Sequence, residues 1–463
     1  MTATADPAPS TSVPAPVPAA TVAERLPGLE PLPSGPRTAV GAGVARRLFV
    51  AAMSRLDVTV EDATTGETFG RGGPRMVVHR PDELFGRVGR DGLIGFGEAF
   101  LTGAWDADDL AAFLTVPAAR MAELVPPSLQ RARSLVTRRM PQHHRSTKDN
   151  SRANIAHHYD LSNALFELFL DETMSYSAAL FDTPVTTGHE SRHLVAAAPA
   201  TMSALATDDA GRPVHSPDLA EAQVRKIERL LDRAEVGEGT RVLEIGTGWG
   251  ELAIRAASRG ATVHSITLSR EQQDLAIRRI DEAGFSERAT VELCDYRDLL
   301  DDDRPRAAYD AVLSVEMIEA VGHEFWRDYF QVIDAVLAPG GKVAIQAITM
   351  PHDRMLATRG GHTWINKYVF PGGFLPSTEA LDEVTRDATT LRVVERLSMA
   401  DHYAETLRRW EELFLAREAE VAALGGDETF RRIWHFYLAY SRAGFASGYL
   451  DVQQLLLTRE DPS

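Results

Sequence analysis

From residue 240 onward, apolar β-branched runs alternate with amphipathic helical stretches, and nothing else in the chain narrows its fold so far. "TRVLEIG", "ATVHSITLS", "ATVELCDY", "YDAVLSVEM" and "GGKVAIQAITM" read as strands, with "GELAIRAASRG" and "REQQDLAIRRIDEAG" as helices between the first of them. Such alternation marks a parallel sheet flanked by helices. "LRVVERL" and "LDVQQLLLTR" add late strands, separated by long helices such as "YAETLRRWEELFLAREAEV". The expectation is an α/β fold built on a mostly parallel, seven-stranded sheet.

The first strand runs into "VLEIGTGWG", where Gly246, Gly248 and Gly250 precede a helix start. Without Cβ atoms, such a turn lets backbone amides approach a ligand. A dinucleotide site would carry G-x-G-x-x-G. Here the spacing is G-x-G-x-G with Trp249 inside, and Glu244 sits within the strand. That pattern favours S-adenosylmethionine over NAD, because the turn must accept a methionine arm and not a pyrophosphate. Downstream, "LCDYRDL" puts Asp295 and Tyr296 at the open end of the sheet, where they can hydrogen-bond and stack with adenine. "ITLSREQ" lacks the acid that many methyltransferases direct at the ribose, so Thr267, Leu268 and Gln272 must serve there. Together these features predict a Rossmann-like class I methyltransferase.

Ahead of that domain the chain changes character several times. Residues 1–40 are rich in Pro, Ala, Ser and Thr and read as a disordered tail. Residues 41–125 alternate helical, β-alternating and Gly-rich stretches, as a small α+β domain would. Residues 126–152 form a basic linker; from 131 to 152 there are seven Lys or Arg against one acid, Asp149. It reads either as a solvated linker or as a patch for anionic lipid head groups. Residues 153–463 make up the remaining domain, interrupted at 185–217 by an Ala-, Thr-, Gly- and Pro-rich surface insertion that looks mobile. The net charge of −17 argues against nonspecific nucleic-acid binding. One cysteine, Cys294, leaves no disulfide framework or Cys-based zinc site, as in a reducing cytoplasm. No metal is expected at His157 and His158, which have no ligand set beside them and more simply orient "YD" or line a pocket. With no membrane-spanning run and no signal segment, the chain is expected to be soluble or peripheral.

"HHYDLSNALFELFLDETMSYSAALF", "VLEIGTGWGELA", "ITLSREQ", "SVEMIEAVG", "WINKYVFPGGFLPS" and "HYAETLRRW", in that order, resemble the cyclopropane-fatty-acyl-phospholipid synthase family. The likeness runs from about residue 45 to the C-terminus. It implies that residues 41–125 are a lipid-engaging accessory domain and that the protein works peripherally on the inner face of the membrane, on an unsaturated phospholipid. A homo-oligomer stays open. It also implies cofactor contacts from Tyr176, Ser177, Gly246, Gly248, Thr267, Leu268, Gln272 and Asp295, with Glu244, Trp249 and Tyr296 beside them, and a substrate pocket including His158, Tyr159 and Glu316. In that family an active-site bicarbonate acts as base, held by five residues. Three match here, as Glu319, Ile348 and Tyr403. A cysteine is replaced by Ala178 and a histidine by Gln346, so bicarbonate binding is in doubt. Glu316, one helical turn before Glu319, competes with it.

The chemistry of this class explains why those positions matter. A mid-chain alkene that takes a methyl group becomes a carbocation, which must lose a proton in an apolar, water-free pocket. Ring closure on the new methyl carbon gives a cyclopropane. A hydride shift followed by proton loss from that methyl gives a methylene branch, so the position of the base decides the product. The "YSAALF" departure resembles the tuberculostearic-type branch, whose 10-methylene product a separate reductase saturates to 10-methylstearate. Cyclopropane formation is the alternative, and methylation of a soluble acceptor or a purely lipid-binding role are rivals of another class.

Overall fold

The structure, a computed structural model, describes residues 29, 35–121, 141, 146–148, 150, 163–182, 205–208, 211–301 and 306–460. His158 and Tyr159 lie outside the described residues, as do most of the 1–40 tail, most of the 126–152 linker and the larger part of the 185–217 insertion.

The N-terminal unit opens with a helix, Pro36–Met53, whose first residue is a proline, as suits a position with no intrahelical N–H bond to lose. Four short strands follow: β1 (Thr59–Asp62), β2 (Thr68–Gly70), β3 (Arg75–Val78) and β4 (Trp105–Ala107), ordered β2-β1-β3-β4. β1 and β3 alternate half-buried and buried residues, so one face of this sheet meets a core. Helices Pro81–Asp91, Leu93–Leu101 and Leu110–Ala119 complete the unit.

Within the expected insertion, β5 (Leu205–Thr207) and β6 (Pro213–His215) pair as an antiparallel hairpin. This corrects the expectation of a mobile segment for that part. Arg417 donates to the Pro213 carbonyl (2.9 Å) and the His215 ring hydrogen-bonds the Phe169 carbonyl (2.7 Å), and these bonds fix a stretch whose composition carries no folding signal. The same Arg417 ends the helix Ala400–Ala416, so "YAETLRRWEELFLAREAEV" is two helices, the second Glu418–Ala423, and not one.

The main sheet has the expected seven strands: β7 (Arg241–Ile245), β8 (Thr262–Thr267), β9 (Ala289–Leu293), β10 (Tyr309–Val315), β11 (Leu337–Thr349), β12 (Leu391–Ser398) and β13 (Asp451–Arg459). Their order is β12-β13-β11-β10-β7-β8-β9. Only β13 runs against its neighbours. β7 is buried from Val242 to Ile245 because helices cover both faces, which is why it reads as continuous apolar sequence. The chain reverses direction of travel across the sheet after β9, so the carboxyl ends of β7 and β10 lie side by side, the usual place for a ligand in an open α/β sheet. The β10–β11 register pairs Val315 with Gln346, and the next residue, Glu316, donates its N–H to the Gln346 carbonyl (2.7 Å).

One apolar cluster spans the N-terminal unit and the late helices. Trp105 stacks on Phe96 (4.5 Å between centroids) and meets Phe436 of the helix Glu428–Ala446. At this seam a Cβ on Gly97 would lie 2.5 Å from the Trp364 ring, so only glycine lets the two surfaces close. Glu98, fully buried, receives Tyr368 Oη (2.8 Å) and the Lys367 ammonium and lies 3.6 Å from Arg87.

Candidate active site

The turn after β7 has positive φ at each of its three glycines, +98°, +54° and +92° at Gly246, Gly248 and Gly250. A Cβ on Gly246 would come within 2.6 Å of Met317 Sδ, whereas one on Gly248 would project into open space. That open space is a cavity lined by Tyr176, Ser177, Glu244, Gly246, Gly248, Trp249, Thr267, Leu268, Gln272 and Glu316. A second lobe, sharing Leu268 and Met317 with the first, is lined by Asp295, Tyr296, Arg297 and Tyr329. Ten of the residues singled out in the sequence thus border one hollow and two more its neighbour.

The walls are ordered by hydrogen bonds. Thr267 Oγ1 donates to Gln272 Oε1 (2.9 Å), and Trp249 Nε1 donates to Asn163 (2.8 Å). Asp295 accepts from Arg297 with both oxygens (2.8 and 2.6 Å), while Tyr296 packs edge-on against Tyr329. Glu244 lies beneath the turn, bonded to Ser265 Oγ (2.5 Å), and desolvation lifts its carboxyl to about 8.

Residues 172–181 cross the cavity as a strap with no regular secondary structure, and their backbone groups find partners on other elements. Ala179 N–H donates to Thr406 (3.1 Å), Leu180 N–H to the Ala222 carbonyl (3.0 Å) and Phe181 N–H to His402 (3.2 Å). Gln223 donates to the Ser177 carbonyl (2.9 Å), and Arg279 ties the carbonyls of Thr173 (3.1 Å) and Trp249 (2.7 Å) together. Tyr176 stacks on Trp410 (5.2 Å) and shares its hydroxyl bond with Tyr437 (2.7 Å). Ala178 is fully buried in this crossing, where a larger side chain has no room to point toward solvent.

Two carboxylates follow β10 in the chain, and one of them, Glu316, meets the strap. Glu316 Oε1 accepts from Ala178 N–H (2.9 Å) and Gln346 Nε2 (2.8 Å), and its Oε2 accepts from Tyr403 Oη (3.0 Å). Glu316 itself has φ +51°, a left-handed conformation that costs a non-glycine residue about 1–2 kcal/mol. Desolvation raises its pKa, opposed by the same donors and by the Lys226 charge. Glu319 is separate: its Oε1 accepts from Ile348 N–H, and its Oε2 has no hydrogen-bond partner among the described residues. Desolvation, then the neighbouring Glu316 charge, lift it to about 8. So the structure gathers Ala178, Gln346 and Tyr403 around Glu316, and sets Glu319 with Ile348. Gln346 is held in turn by Gln454 (3.0 Å).

Lys226 was missed. It is almost wholly buried, donates to Ser177 Oγ (2.6 Å), and is the only cationic side chain among the described residues lining the first lobe. Desolvation lowers its ammonium to about 8, while Glu316, Asp171 and Glu251 pull it back up. A signal existed: Gln223 and Lys226 fall on the apolar stripe of the helix Asp218–Arg233, with Leu219, Ala222 and Leu230, where a buried polar group needs a partner. Among the described residues no cluster of His, Cys, Asp and Glu could hold a metal.

The family profile described as Mycolic acid cyclopropane synthetase matches residues 146–455. The "Tuberculostearic acid methyltransferase UfaA1" of Mycobacterium tuberculosis is 48% identical over 447 residues, 96% of this chain and 97% of that protein. The cyclopropane-fatty-acyl-phospholipid synthase of Escherichia coli is 29% identical over 82% of this chain and 87% of its own. Among solved structures, the cyclopropane synthase MmaA2 of M. tuberculosis superposes with a TM-score of 0.53 at 28% identity, covering 66% of this chain and 97% of that one. The mycolic acid cyclopropane synthase CmaA1, complexed with SAH and CTAB, gives 0.53 at 26% identity, covering 69% and 98%.

Proposed function

The chain belongs to the mycolic acid cyclopropane synthetase family and is an S-adenosylmethionine-dependent methyltransferase of lipid acyl chains, and on that premise we propose that it converts the mid-chain double bond of an unsaturated phospholipid, such as an oleoyl lipid, into a 10-methylene branch. The observation that carries this reading is the near-full-length identity to a tuberculostearic acid methyltransferase, joined to the rebuilt surroundings of Ala178 and Gln346.

The bound cofactor supplies an electrophilic methyl group on a sulfonium. The residues present fit it: the glycine turn leaves space beside Gly248, and Lys226 offers a buried charge for the methionine carboxylate. Tyr176 and Ser177 close the strap over this lobe. Thr267, Leu268 and Gln272 of the first lobe would hold the ribose, and Asp295 with Tyr296 of the second the adenine. Tyr176, Trp410, Tyr403 and Phe445 pack ring against ring and keep water from the reaction centre.

The N-terminal unit engages the membrane surface. No helix among the described residues is long and apolar enough to cross a bilayer. Val40, Val44 and Leu48, four residues apart on one helix, are instead 70%, 52% and 56% exposed, an apolar stripe suited to lie against lipid. A reductase would then saturate the branch. The test is NMR of acyl chains from oleoyl phospholipid vesicles treated with the enzyme and S-adenosylmethionine. An exocyclic methylene signal is expected; a cyclopropane signal would put the cyclopropane alternative in its place, and an unmodified lipid would remove the acyl-chain reading.

A further inference from the structure

We propose that the Glu316 carboxylate is the built-in base of the reaction, occupying the place where an external anion would otherwise be held. This rests on the acyl-chain reading above.

Of the pocket-lining acids, only Glu316 is placed for the work. Glu244 lies under the glycine turn on Ser265, and Glu251 is paired with Arg255 (2.8 Å) and Arg279 (2.9 Å). Glu316 projects from the end of β10 into the junction of the strap, β11 and the helix Ala400–Ala416, and takes one donor from each: Ala178 N–H, the Gln346 amide and the Tyr403 hydroxyl. These are the donors an exchangeable oxyanion such as bicarbonate would need. They are already committed, and Ala178 has no polar side chain to add. Bicarbonate therefore does not fit here. Of the two positions that depart from the bicarbonate-holding pattern, Gln346 bonds Glu316 through its side-chain amide and Ala178 through its backbone N–H, so both changes lie against the carboxylate. The left-handed backbone at Glu316 fits the same view, since strain held at one residue marks a place where side-chain direction matters.

Oε1 accepts two bonds and Oε2 one, so Oε2 keeps a lone pair for a proton. Once a hydride has shifted from the methylated carbon to its cationic neighbour, the positive charge sits on the methyl-bearing carbon; a C–H bond of the new methyl group then breaks, its electron pair becomes the π bond of the methylene and neutralises that cation, and the proton passes to Glu316, which becomes a carboxylic acid and later returns it to solvent. No other reactant is needed.

The experiment uses the full chain on dioleoyl phosphatidylglycerol vesicles with S-adenosylmethionine, in buffer stripped of bicarbonate. Wild type is expected to work equally well with and without bicarbonate, and isotope-labelled bicarbonate should show no NMR line broadening on addition of the protein. Glu316→Gln keeps the shape of the side chain; it should lose product formation by about 10²–10⁴-fold, with cofactor affinity by calorimetry nearly unchanged and no rescue by bicarbonate. Glu316→Ala opens the site, and added acetate or bicarbonate should restore part of the rate and now broaden the bicarbonate signal. A wild-type rate that collapses without bicarbonate, or a Glu316→Gln enzyme close to wild type, overturns the inference alone. A wild type that binds cofactor and leaves the acyl chains untouched overturns the acyl-chain reading and the inference with it.

Discussion

Replacing Lys226 with methionine is a direct probe of how the cofactor is gripped. The ammonium is almost wholly buried, donates to Ser177 Oγ at 2.6 Å, and is the only cation among the described residues lining the first lobe. A buried charge-assisted hydrogen bond is worth about 1.5–3 kcal/mol. At about 1.4 kcal/mol per decade, Lys226→Met should weaken S-adenosylmethionine binding by about 10–150-fold. Charge adds a pH signature. Desolvation lowers the ammonium to about 8 in the unliganded protein, with Glu316, Asp171 and Glu251 acting against that. Only the protonated form attracts a carboxylate, so wild-type affinity should hold below pH about 7 and fall above pH about 8. Because a bound anion favours the charged lysine, binding above the midpoint should take up a proton, which calorimetry in buffers of different ionisation heat detects. Methionine matches the length of the stem, so the variant should keep its fold, checked by circular dichroism. A Lys226→Met protein with wild-type affinity, or a flat affinity across that pH range, would refute the assignment of Lys226 to the carboxylate.

Two further outcomes follow from the site. Arg279→Ala removes bonds that join the strap carbonyls of Glu172 and Thr173 to the Trp249 carbonyl and Glu251, and should lower stability by about 2–4 kcal/mol, with weaker cofactor binding; denaturant titration with and without S-adenosylmethionine checks it, and an unchanged midpoint would count against the clamp. Glu244 is held at about 8 when folded against an ordinary 4.5, so its stabilising proton is fully present below pH 4.5 and lost as pH rises to about 8. Unliganded stability should decline over that window by up to about 1.4 kcal/mol per pH unit from this group, and Glu244→Gln should flatten the decline in thermal melts.

What the sequence makes legible depends on how local the cause is. The strands of the main sheet and the glycine turn stand out because burial on both faces writes continuous apolar runs, and left-handed backbone writes glycine. Glu316 is different. Its partners are Ala178, Gln346 and Tyr403, brought to it by the β10–β11 register and by a strap more than a hundred residues upstream, so no local pattern singles it out over Glu319. Lys226 carried a weaker trace, a cation on an apolar helix face, whose meaning needs Ser177 from another segment. The break at Arg417 carried none, since Leu-Ala-Arg-Glu-Ala favours helix throughout and the stop coincides with bonds from Arg417 to the distant Pro213 and Leu168 carbonyls.

The shared core between the N-terminal unit and the helix Glu428–Ala446 has a consequence for biosynthesis. Trp105, Phe100 and Gly97 close against Phe436 and Trp364, residues that leave the ribosome hundreds of positions later. During translation the first unit therefore waits with its apolar seam uncovered, and Glu98 waits for Lys367 and Tyr368. Folding cannot finish as the chain emerges, so yield in a living cell should hinge on chaperones that hold the nascent protein until its last helix is made.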